Sequence, residues 1–166
     1  MNSNFKIRQA VREDVPRIFD LIQALAEYEK LTHQVTATAE ELKQHLFGDR
    51  IYAEAIVAEY DGKTVGFALF FPNYSTFLTK PGIHLEDLFV LPEYRRRGMG
   101  KAMLSYLGKL ALTRDAGRLE WSVLDWNQSA IAFYRSMGAE ILPDWRICRV
   151  TDTALQALAD KIERTS

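Results

Sequence analysis

A turn rich in arginine and glycine is the part of the chain whose residue types point most directly to chemistry. Residues 95–100 read RRRGMG, follow an apolar run and precede a helical pattern. Glycine lets the backbone approach a ligand closely, and the N–H groups and dipole of a helix N-terminus attract anions. The arginines add positive charge, so the turn predicts a site for a small anionic ligand such as a phosphate. The alternative is an ordinary helix start with solvated arginines.

The same turn argues against two common nucleotide sites. It lacks the full glycine fingerprint of a dinucleotide-binding strand and helix, and it lacks the Gly-Lys-[Ser/Thr] ending of a P-loop. An NAD or ATP site therefore has little support.

Two further polar residues stand where chemistry is possible. Glu86 lies in residues 84–90, which read HLEDLFV, a mostly apolar strand pattern in which burial would raise the pKa of a carboxyl group. Asp87 alternates to the other face and is the weaker candidate. Tyr134 follows Asn127 by seven residues, about two helical turns, so both side chains face one cleft. The alternatives are a solvated or ion-paired glutamate at the end of a sheet and a core tyrosine.

The elements that position these residues follow from apolar periodicity and turn chemistry. The predicted strands are residues 5–10, 52–60, 64–71, 84–90, 119–124, 139–142 and 145–151, with a loop at 73–82. The predicted helices are residues 14–30, 38–47, a segment from the arginine turn to Gly117, residues 127–137 and a last one capped by Asp152. This order predicts one α/β domain, residues 1–166, around a mixed sheet. The hairpin signal at Asp61-Gly62 argues against an all-parallel sheet.

Composition restricts the class of partner. The chain has 166 residues, 48% hydrophobic and 26% charged, with a net charge of −1. These values are ordinary for one globular domain and give no overall basic field, so neither nucleic acid nor a membrane surface is expected as a partner. The first residues, MNSNFK, lack the apolar run of a signal peptide, and no stretch has the length of a membrane span. We expect a cytoplasmic protein.

The single cysteine, Cys148, cannot form an intrachain disulfide, which fits a reducing compartment. It lies in residues 145–150, WRICRV, which alternate like a strand. We therefore expect an inert, packed thiol rather than a nucleophile.

Two motifs resemble those of the GNAT acetyltransferases. Residues 95–100 match the family's [QR]-x-x-G-x-[GA] motif, and residues 85–94 look like its fourth strand and the lead-in to that motif. Residues 126–139, WNQSAIAFYRSMGA, look like its N-x-x-A-x-x-F-Y-x-x-x-G-[FA] signature. Order and spacing also match, and the resemblance covers residues 5–151. It implies the GNAT fold, a central mixed and mostly antiparallel β-sheet flanked by helices, with splayed central strands.

A closer resemblance is to the diamine (spermidine/spermine) and thialysine acetyltransferases. It rests on residues 25–29 (LAEYE), 85–87 (LED), 125–127 (DWN) and 145–146 (WR). The match is looser over residues 73–82 and 142–144. The resemblance implies acetyl-CoA-dependent transfer of an acetyl group to the primary amine of a diamine, a polyamine or a thialysine- or lysine-like amino acid.

The resemblance also implies where acetyl-CoA binds. Its pyrophosphate would lie on backbone N–H groups of residues 96–101, and main-chain groups of residues 88–90 would pair with the pantetheine arm. Strands 84–91 and 119–124 would splay to admit the thioester, and a backbone amide near Leu88 or Phe89 would meet the acetyl oxygen. The candidate cofactor-binding residues are Leu88, Phe89, Val90, Arg95, Arg96, Arg97, Gly98, Met99, Gly100, Lys101 and Asn127.

Acetyl transfer also needs a base and an acid. An alkylamine has a pKa near 10.4, so only about one molecule in a few thousand is nucleophilic at pH 7. Glu86 is the candidate base, acting directly or through water. Tyr134 matches the residue that donates a proton to the leaving thiolate in the family. Asn127 is a candidate both for capping its helix and for contacting the cofactor.

Four residues are candidate contacts to a cationic substrate: Tyr28, Glu29, Glu120 and Asp125. The histidines and the cysteine lack metal-ligand spacing, so we predict no metal.

Other readings of the resemblance stay open. Acetylation of a protein N-terminus or lysine would need an open groove, whereas residues 25–29 favour a small amine. A catalytically silent acyl-CoA-binding module is a third possibility, and the presence of both Glu86 and Tyr134 argues against it. Members of the family are commonly homodimers, and the C-terminal strands and helix could form such an interface.

Overall fold

The computed structural model describes residues 4–161, which divide after Leu124 into two compact units. Residues 1–3, part of the segment that lacks a signal-peptide pattern, lie outside this range, as do residues 162–166. The single domain predicted over residues 1–166 stays a prediction. The first unit contains the sheet and three α-helices, and the second contains two α-helices, within the described range.

The first unit is built on one five-stranded sheet in the order β1-β2-β3-β4-β5. The strands are β1 (Phe5–Gln9), β2 (Glu54–Tyr60), β3 (Lys63–Ser75), β4 (Lys80–Val90) and β5 (Leu119–Glu120). The β1–β2, β2–β3 and β3–β4 pairs are antiparallel and the β4–β5 pair is parallel. The sheet is therefore mixed and mostly antiparallel, as predicted. Asp61 and Gly62 both have positive φ, 47° and 75°, which confirms the predicted β2–β3 turn.

Strand β3 continues past Pro72, where the sequence predicted its end, and the predicted loop at residues 73–82 is reduced to residues 76–79. The reason lies in the neighbouring strand. Pairing with β2 stops at Glu54 and Phe70, so Pro72 pairs only with Ile83 of β4 and its missing N–H breaks no ladder on the other side.

Strand β4 contains a bulge and then loses one neighbour. Leu69 pairs with Asp87 and Phe70 pairs with Leu85, so Glu86 is an extra residue in the ladder. Strand β5 pairs with β4 only at Leu119 and Glu120. The strand predicted at residues 119–124 therefore ends after two residues, and residues 121–124 form no strand. Residues 85–90 therefore have no strand partner on that side within the described part of the chain, as the splayed strands of the resemblance imply.

Helices of the first unit cover both faces of the sheet. They are α1 (Val15–Glu29), α2 (Ala39–Phe47) and α3 (Met99–Thr113). The second unit contains α4 (Gln128–Ser136) and α5 (Asp152–Ala159). Short 3-10 helices span Arg12–Asp14, Thr32–Gln34 and Pro92–Tyr94.

The core of the first unit lies between the sheet and the helices of that unit. On one face, Ile18 and Leu21 of α1 pack in a cluster with Phe67 and Phe89 of the sheet. These two phenylalanines are opposite one another in the β3–β4 register, so they share that face. On the other face, α3 contacts β4, and its Met103 is fully buried. Burying this apolar surface is the main force that holds the helices on the sheet.

Asp14 directly precedes α1, but its side chain does not cap the helix, because a stronger partner takes its carboxylate. Its oxygens accept hydrogen bonds from Nη1 and Nη2 of Arg8 at 2.6 and 2.8 Å, and from the Val11 N–H at 2.8 Å. The Arg8 guanidinium also donates to Glu59 Oε1 at 2.9 Å. These hydrogen bonds from Arg8 lower the pKa of Asp14 and the pKa of Glu59 below their ordinary values.

The second unit departs most from the sequence prediction. The strands predicted at residues 139–142 and 145–151 are absent. A strand needs a partner strand, and no other described segment of the protein pairs with either of them. The expectation of a packed Cys148 is wrong, because its side chain is exposed. Helix α4 ends as predicted, with Gly138 at a φ of 90°, and the predicted last helix is present as α5.

The Arg8 network predicts a pH-dependent contribution to stability. Arg8→Met lowers the free energy of unfolding near neutral pH by roughly 1–3 kcal/mol, because two part-buried carboxylates lose a charged donor. The folded-state pKa values of Asp14 and Glu59 are lowered. This stability is therefore fully present above their unfolded values and is lost as the pH falls through the folded ones. Urea unfolding of both proteins from pH 7 downward should show the difference shrinking.

Arg114→Met is the matched control, since it removes an exposed bidentate pair with Glu54 at 2.7 and 2.8 Å. Its cost should stay below about 1 kcal/mol. Equal costs for the two variants, or a difference that persists in acid, would contradict the assignment.

Candidate active site

The arginine–glycine turn begins α3, as predicted. Arg96 has a φ of 60°, and Gly98, the residue before the helix, has a φ of 88°. A Cβ on Gly98 would meet nothing nearer than the Phe5 ring at 3.8 Å, so the backbone angle, not crowding, requires glycine here. The N–H groups of the first helical turn have no acceptor within the helix, which leaves a partial positive charge at this point.

The arginine side chains of this turn have different surroundings. Arg97 donates from Nη1 to the Tyr60 hydroxyl at 2.8 Å, and its guanidinium lies over the Tyr60 ring, 4.8 Å from the centroid. Arg96 is exposed, and so is Lys101 in the first turn of α3. Arg96 and Lys101 are therefore the cations best placed to meet an anion from solvent.

Arg95 is turned toward the protein. Its Nε donates to the Val90 carbonyl at 2.8 Å. Its guanidinium carbon lies 4.5 Å from the centroid of the Tyr28 ring and 5.4 Å from that of Phe89. The structure thus joins two predicted site residues, Arg95 and Tyr28, by direct contact.

The bulge in β4 gathers polar side chains. His84 pairs with Phe71 and Asp87 pairs with Leu69, and because these partners are two residues apart, His84 and Asp87 share a face. Glu86 Oε2 lies 3.6 Å from His84 Nε2, so the strict alternation expected for Glu86 and Asp87 is interrupted. Glu86 is exposed, with 55% of its side chain accessible, and the expected burial is wrong.

Asp87, not Glu86, has the environment predicted for a tuned carboxyl group. Burial, followed by the carboxylates of Glu86 and Glu29, raises the pKa of Asp87 to about 6. Burial also raises the pKa of Glu29, which ends α1 beside Tyr28. Glu29, Glu86 and Asp87 thus form a carboxylate cluster, held by the end of α1 and the bulge of β4.

Glu120 lies across from His84 at the last pair of the β4–β5 ladder. Its Oε1 accepts a hydrogen bond from Asn73 Nδ2 at 2.7 Å, and Arg118 Nε lies 3.9 Å from its Oε2. These two partners fix the orientation of the Glu120 side chain. Its carboxylate lies on β5, the strand that neighbours His84 on the side opposite β3.

In the second unit, Asn127 Oδ1 caps α4 by accepting from the Ala130 N–H at 3.2 Å, which confirms the predicted cap. Tyr134 lies on the same helix, with its ring 5.4 Å from that of Phe133. Asp125 is exposed, and its carbonyl accepts from Gln128 Nε2 at 2.8 Å. Asn127 thus begins the helix on which Tyr134 lies, and that both side chains face one cleft stays a prediction.

Sequence reasoning missed two residues of this region. His84 carried a detectable signal, since it stands two positions before Glu86 in one strand. Asn73 carried none, because its contact with Glu120 depends on β3 continuing beyond Pro72.

Residues 4–161 contain no group of three or more His, Cys, Asp or Glu side chains arranged to hold a metal ion. No helix among them is long and apolar enough to cross a membrane.

Comparison with known families gives one match over most of the chain. Residues 15–139 match the Acetyltransferase (GNAT) family. Among curated proteins, L-ornithine N5-acetyltransferase NATA1 of Arabidopsis thaliana is 36% identical, over 95% of this chain and 88% of that protein. Thialysine N-epsilon-acetyltransferase of Bos taurus is also 36% identical, over 93% of this chain and 97% of that protein.

Solved structures show the same fold. An integron cassette protein from the mobile metagenome of V. cholerae has a TM-score of 0.77 at 23% identity, over 94% of this chain and 98% of that one. A metagenomic aminoglycoside acetyltransferase has a TM-score of 0.75 at 19% identity, over 90% of this chain and 99% of that one.

Two glycines of α3 and its start give a paired stability prediction. Gly98→Ala lowers the free energy of unfolding by roughly 1–2 kcal/mol, because alanine is strained at positive φ. Gly108→Ala raises it by roughly 0.5–1 kcal/mol, since its Cβ would enter open space within a helix. Chemical denaturation measures both, and shifts of the same sign would show that the turn lacks this backbone conformation.

Proposed function

Since this chain belongs to the Acetyltransferase (GNAT) family and is an N-acetyltransferase, we propose that acetyl-CoA is its acyl donor. We propose as acceptor the primary amine of a small cationic molecule. Diamines, polyamines and amino acids that resemble thialysine, lysine or ornithine belong to this class. The carboxylate cluster of Glu29, Glu86 and Asp87 is the observation that carries the choice of acceptor.

The cluster suits a cationic acceptor for an electrostatic reason. Three carboxyl groups lie close enough that Glu29 and Glu86 both raise the pKa of Asp87. A bound ammonium group would relieve this repulsion, whereas a neutral or anionic acceptor would not. Glu120 and, in the second unit, Asp125 are further candidate contacts for a second positive charge. The relatives named for ornithine and thialysine act on amino acids with such a charge, which supports the proposal.

The proposed donor site begins just after the bulge, where β4 leads into α3. Backbone N–H groups of residues 96–101, with Arg96 and Lys101, would hold the pyrophosphate of acetyl-CoA. The open side of residues 88–90 offers main-chain groups to the pantetheine arm, in the way that an extended peptide adds to a sheet edge. Acetyl-CoA would supply the activated acyl group, and side chains of the protein would transfer the protons.

We propose Glu86 as the general base, directly or through water, because its exposed carboxylate lies at the bulge where the cluster begins. A specific observation favours Asp87 as the second candidate, namely its pKa of about 6. The bulge also frees main-chain groups from the ladder, and an amide near Leu88 or Phe89 would stabilise the oxyanion.

We propose Tyr134 as the acid that protonates the departing thiolate. Its place on α4 is fixed by the Asn127 cap, so one residue both starts the helix and remains a candidate cofactor contact. A homodimer is also proposed. Its support is the exposure of Trp145 and Ile147, at 79% and 71%, which a second copy would cover. The cytoplasmic location predicted from the sequence stays a prediction.

An amine panel tests this function. The panel contains ornithine, lysine analogues, diamines, polyamines, simple monoamines and an unblocked peptide, each assayed with acetyl-CoA by detection of free thiol. We expect turnover to be fastest with amines that carry a second positive charge, and we expect acetyl-CoA to raise the Tm of the wild type but not of Gly98→Asp. Binding of acetyl-CoA without turnover of any amine would identify a silent module, and turnover of the peptide alone would identify a protein acetyltransferase.

The base is tested by two matched variants. Glu86→Gln should lower kcat/KM for the amine by roughly 10²–10⁴-fold at neutral pH, with less loss at high pH where the amine is already neutral. Asp87→Asn should mainly raise the KM for the amine. In the wild type that KM should rise as the pH falls below about 6, because Asp87 becomes protonated and loses its charge. A wild-type rate for Glu86→Gln together with loss of turnover in Asp87→Asn would make Asp87 the base.

The acid is tested by Tyr134→Phe, which keeps the ring and removes one hydroxyl proton. We expect kcat to fall by at least about tenfold with little change in acetyl-CoA affinity, since general acid assistance is typically worth about 10²–10⁴-fold and water can replace part of it. Tyr106→Phe, a tyrosine of α3 outside the proposed site, should leave kcat unchanged. An equal, small effect of both substitutions would remove Tyr134 from the chemistry.

A further inference from the structure

The side chain of Arg95 joins three segments of the first unit. Its guanidinium lies over the Tyr28 ring of α1 at 4.5 Å and over the Phe89 ring of β4 at 5.4 Å. Its Nε donates to the carbonyl of Val90, the last residue of β4, at 2.8 Å. One planar cation is thus held by two aromatic rings and a hydrogen bond.

This arrangement differs from that of the next arginine. Arg96 is exposed at a residue with a φ of 60°, beside the first turn of α3. Arg95 is half-buried, and its charge already has two ring faces and a carbonyl oxygen as partners. Arg95 could reach a phosphate only by losing these contacts. Within the described part of the chain, Arg96 makes no contact with α1 of this kind, so binding a phosphate would not disturb that helix.

The contacts of Arg95 bear on the carboxylate cluster through adjacent residues. Tyr28 directly precedes Glu29 at the end of α1, and Phe89 follows Asp87 by two residues on the same face of β4. Glu29 and Asp87 are close enough for their charges to interact. Arg95 therefore contacts a residue close in sequence to each of these carboxylates, Tyr28 beside Glu29 and Phe89 near Asp87.

We propose that Arg95 is a positioning residue for the amine acceptor and not a phosphate contact. It holds the last turn of α1 against the end of β4 and so keeps Glu29 beside Asp87. The inference rests on the proposed function, because it assigns Arg95 a part in binding the amine. It also gives adjacent arginines different tasks, with Arg96 facing the donor and Arg95 shaping the acceptor site.

The expected effect follows from the kind of contact. Cation–π contacts at partly desolvated sites correspond to about two- to thirtyfold in affinity. Lysine keeps the charge of Arg95 but lacks its planar group and its Nε donor. A phosphate contact would survive Arg95→Lys in large part, whereas stacking between two rings would not.

The test measures both substrates on one set of variants. The variants are Arg95→Lys, Arg95→Met, Tyr28→Leu, the double variant Arg95→Met/Tyr28→Leu, and Arg96→Met as the matched control in the same turn. For each we would determine the amine Kd by calorimetry, the amine KM, and the affinities for CoA and for 3′-dephospho-CoA.

We expect Arg95→Lys and Arg95→Met to weaken amine binding alike, by about three- to thirtyfold, with an unchanged ratio of CoA to 3′-dephospho-CoA affinity. The double variant should match Arg95→Met within about twofold, because Arg95→Met already removes the contact that Tyr28→Leu removes. Arg96→Met should weaken CoA and leave the amine Kd near that of the wild type.

Several results would overturn the proposal. If Arg95→Lys keeps wild-type amine binding while Arg95→Met weakens CoA as Arg96→Met does, Arg95 is a phosphate contact. If the Arg95 variants lower Tm alone, with both affinities unchanged, the residue is only structural. If the wild type neither binds nor acetylates any amine of the panel, the proposed function fails as a whole and takes this role with it, an outcome distinct from the other two.

Discussion

The separation of β4 from the chain after Glu120 is the constraint on which the rest of the site depends. The two strands pair at only two positions, so residues 85–90 keep β3 as their one strand neighbour in the described chain. Backbone N–H and C=O groups on the open side still need partners, because unpaired polar groups are costly once water is excluded. An extended ligand arm can provide such partners. The open side of residues 85–90 is therefore suited to hydrogen-bond with a ligand rather than with another strand of this chain.

Charge is distributed along this strand in a way that suits two different substrates. The end that leads into α3 has exposed Arg96 and Lys101 beside a helix N-terminus, whereas the bulge, four residues earlier, has the carboxylates of Glu86 and Asp87, and the charge of Glu29 acts on Asp87. An anionic donor would thus be drawn to the end of β4 and a cationic acceptor to the bulge. The reacting groups would meet between these two points. Electrostatic complementarity of this kind affects the specificity, orientation and rate of binding more than it raises the affinity.

The sequence predicted correctly those features of the fold that depend on a few adjacent residues. The Asp61-Gly62 hairpin and the start of α3 at the arginine–glycine turn each depend on a few adjacent residues, and the structure has both. The wrong predictions depend on distant residues. Pro72 ends no strand because β2 has already stopped, and the alternation in residues 145–151 forms no strand because nothing pairs with it.

The site shows the same division. The Asn127 cap of α4 was predictable from the residue type and its position. The exposure of Glu86 and the raised pKa of Asp87 were not, because a bulge opposite Leu69 and Phe70 and the approach of Glu29 from α1 decide them. Sequence patterning assumes a regular ladder, and the bulge is the place where that assumption fails.

Hydrogen–deuterium exchange of the backbone amides with and without acetyl-CoA tests the central claim most directly. If the open side of β4 and the start of α3 receive the donor, residues 88–90 and 96–101 should gain protection, while β1 and β2, which are already paired, should change little. Protection that appears elsewhere, with residues 88–101 exchanging as in the free protein, would contradict the account.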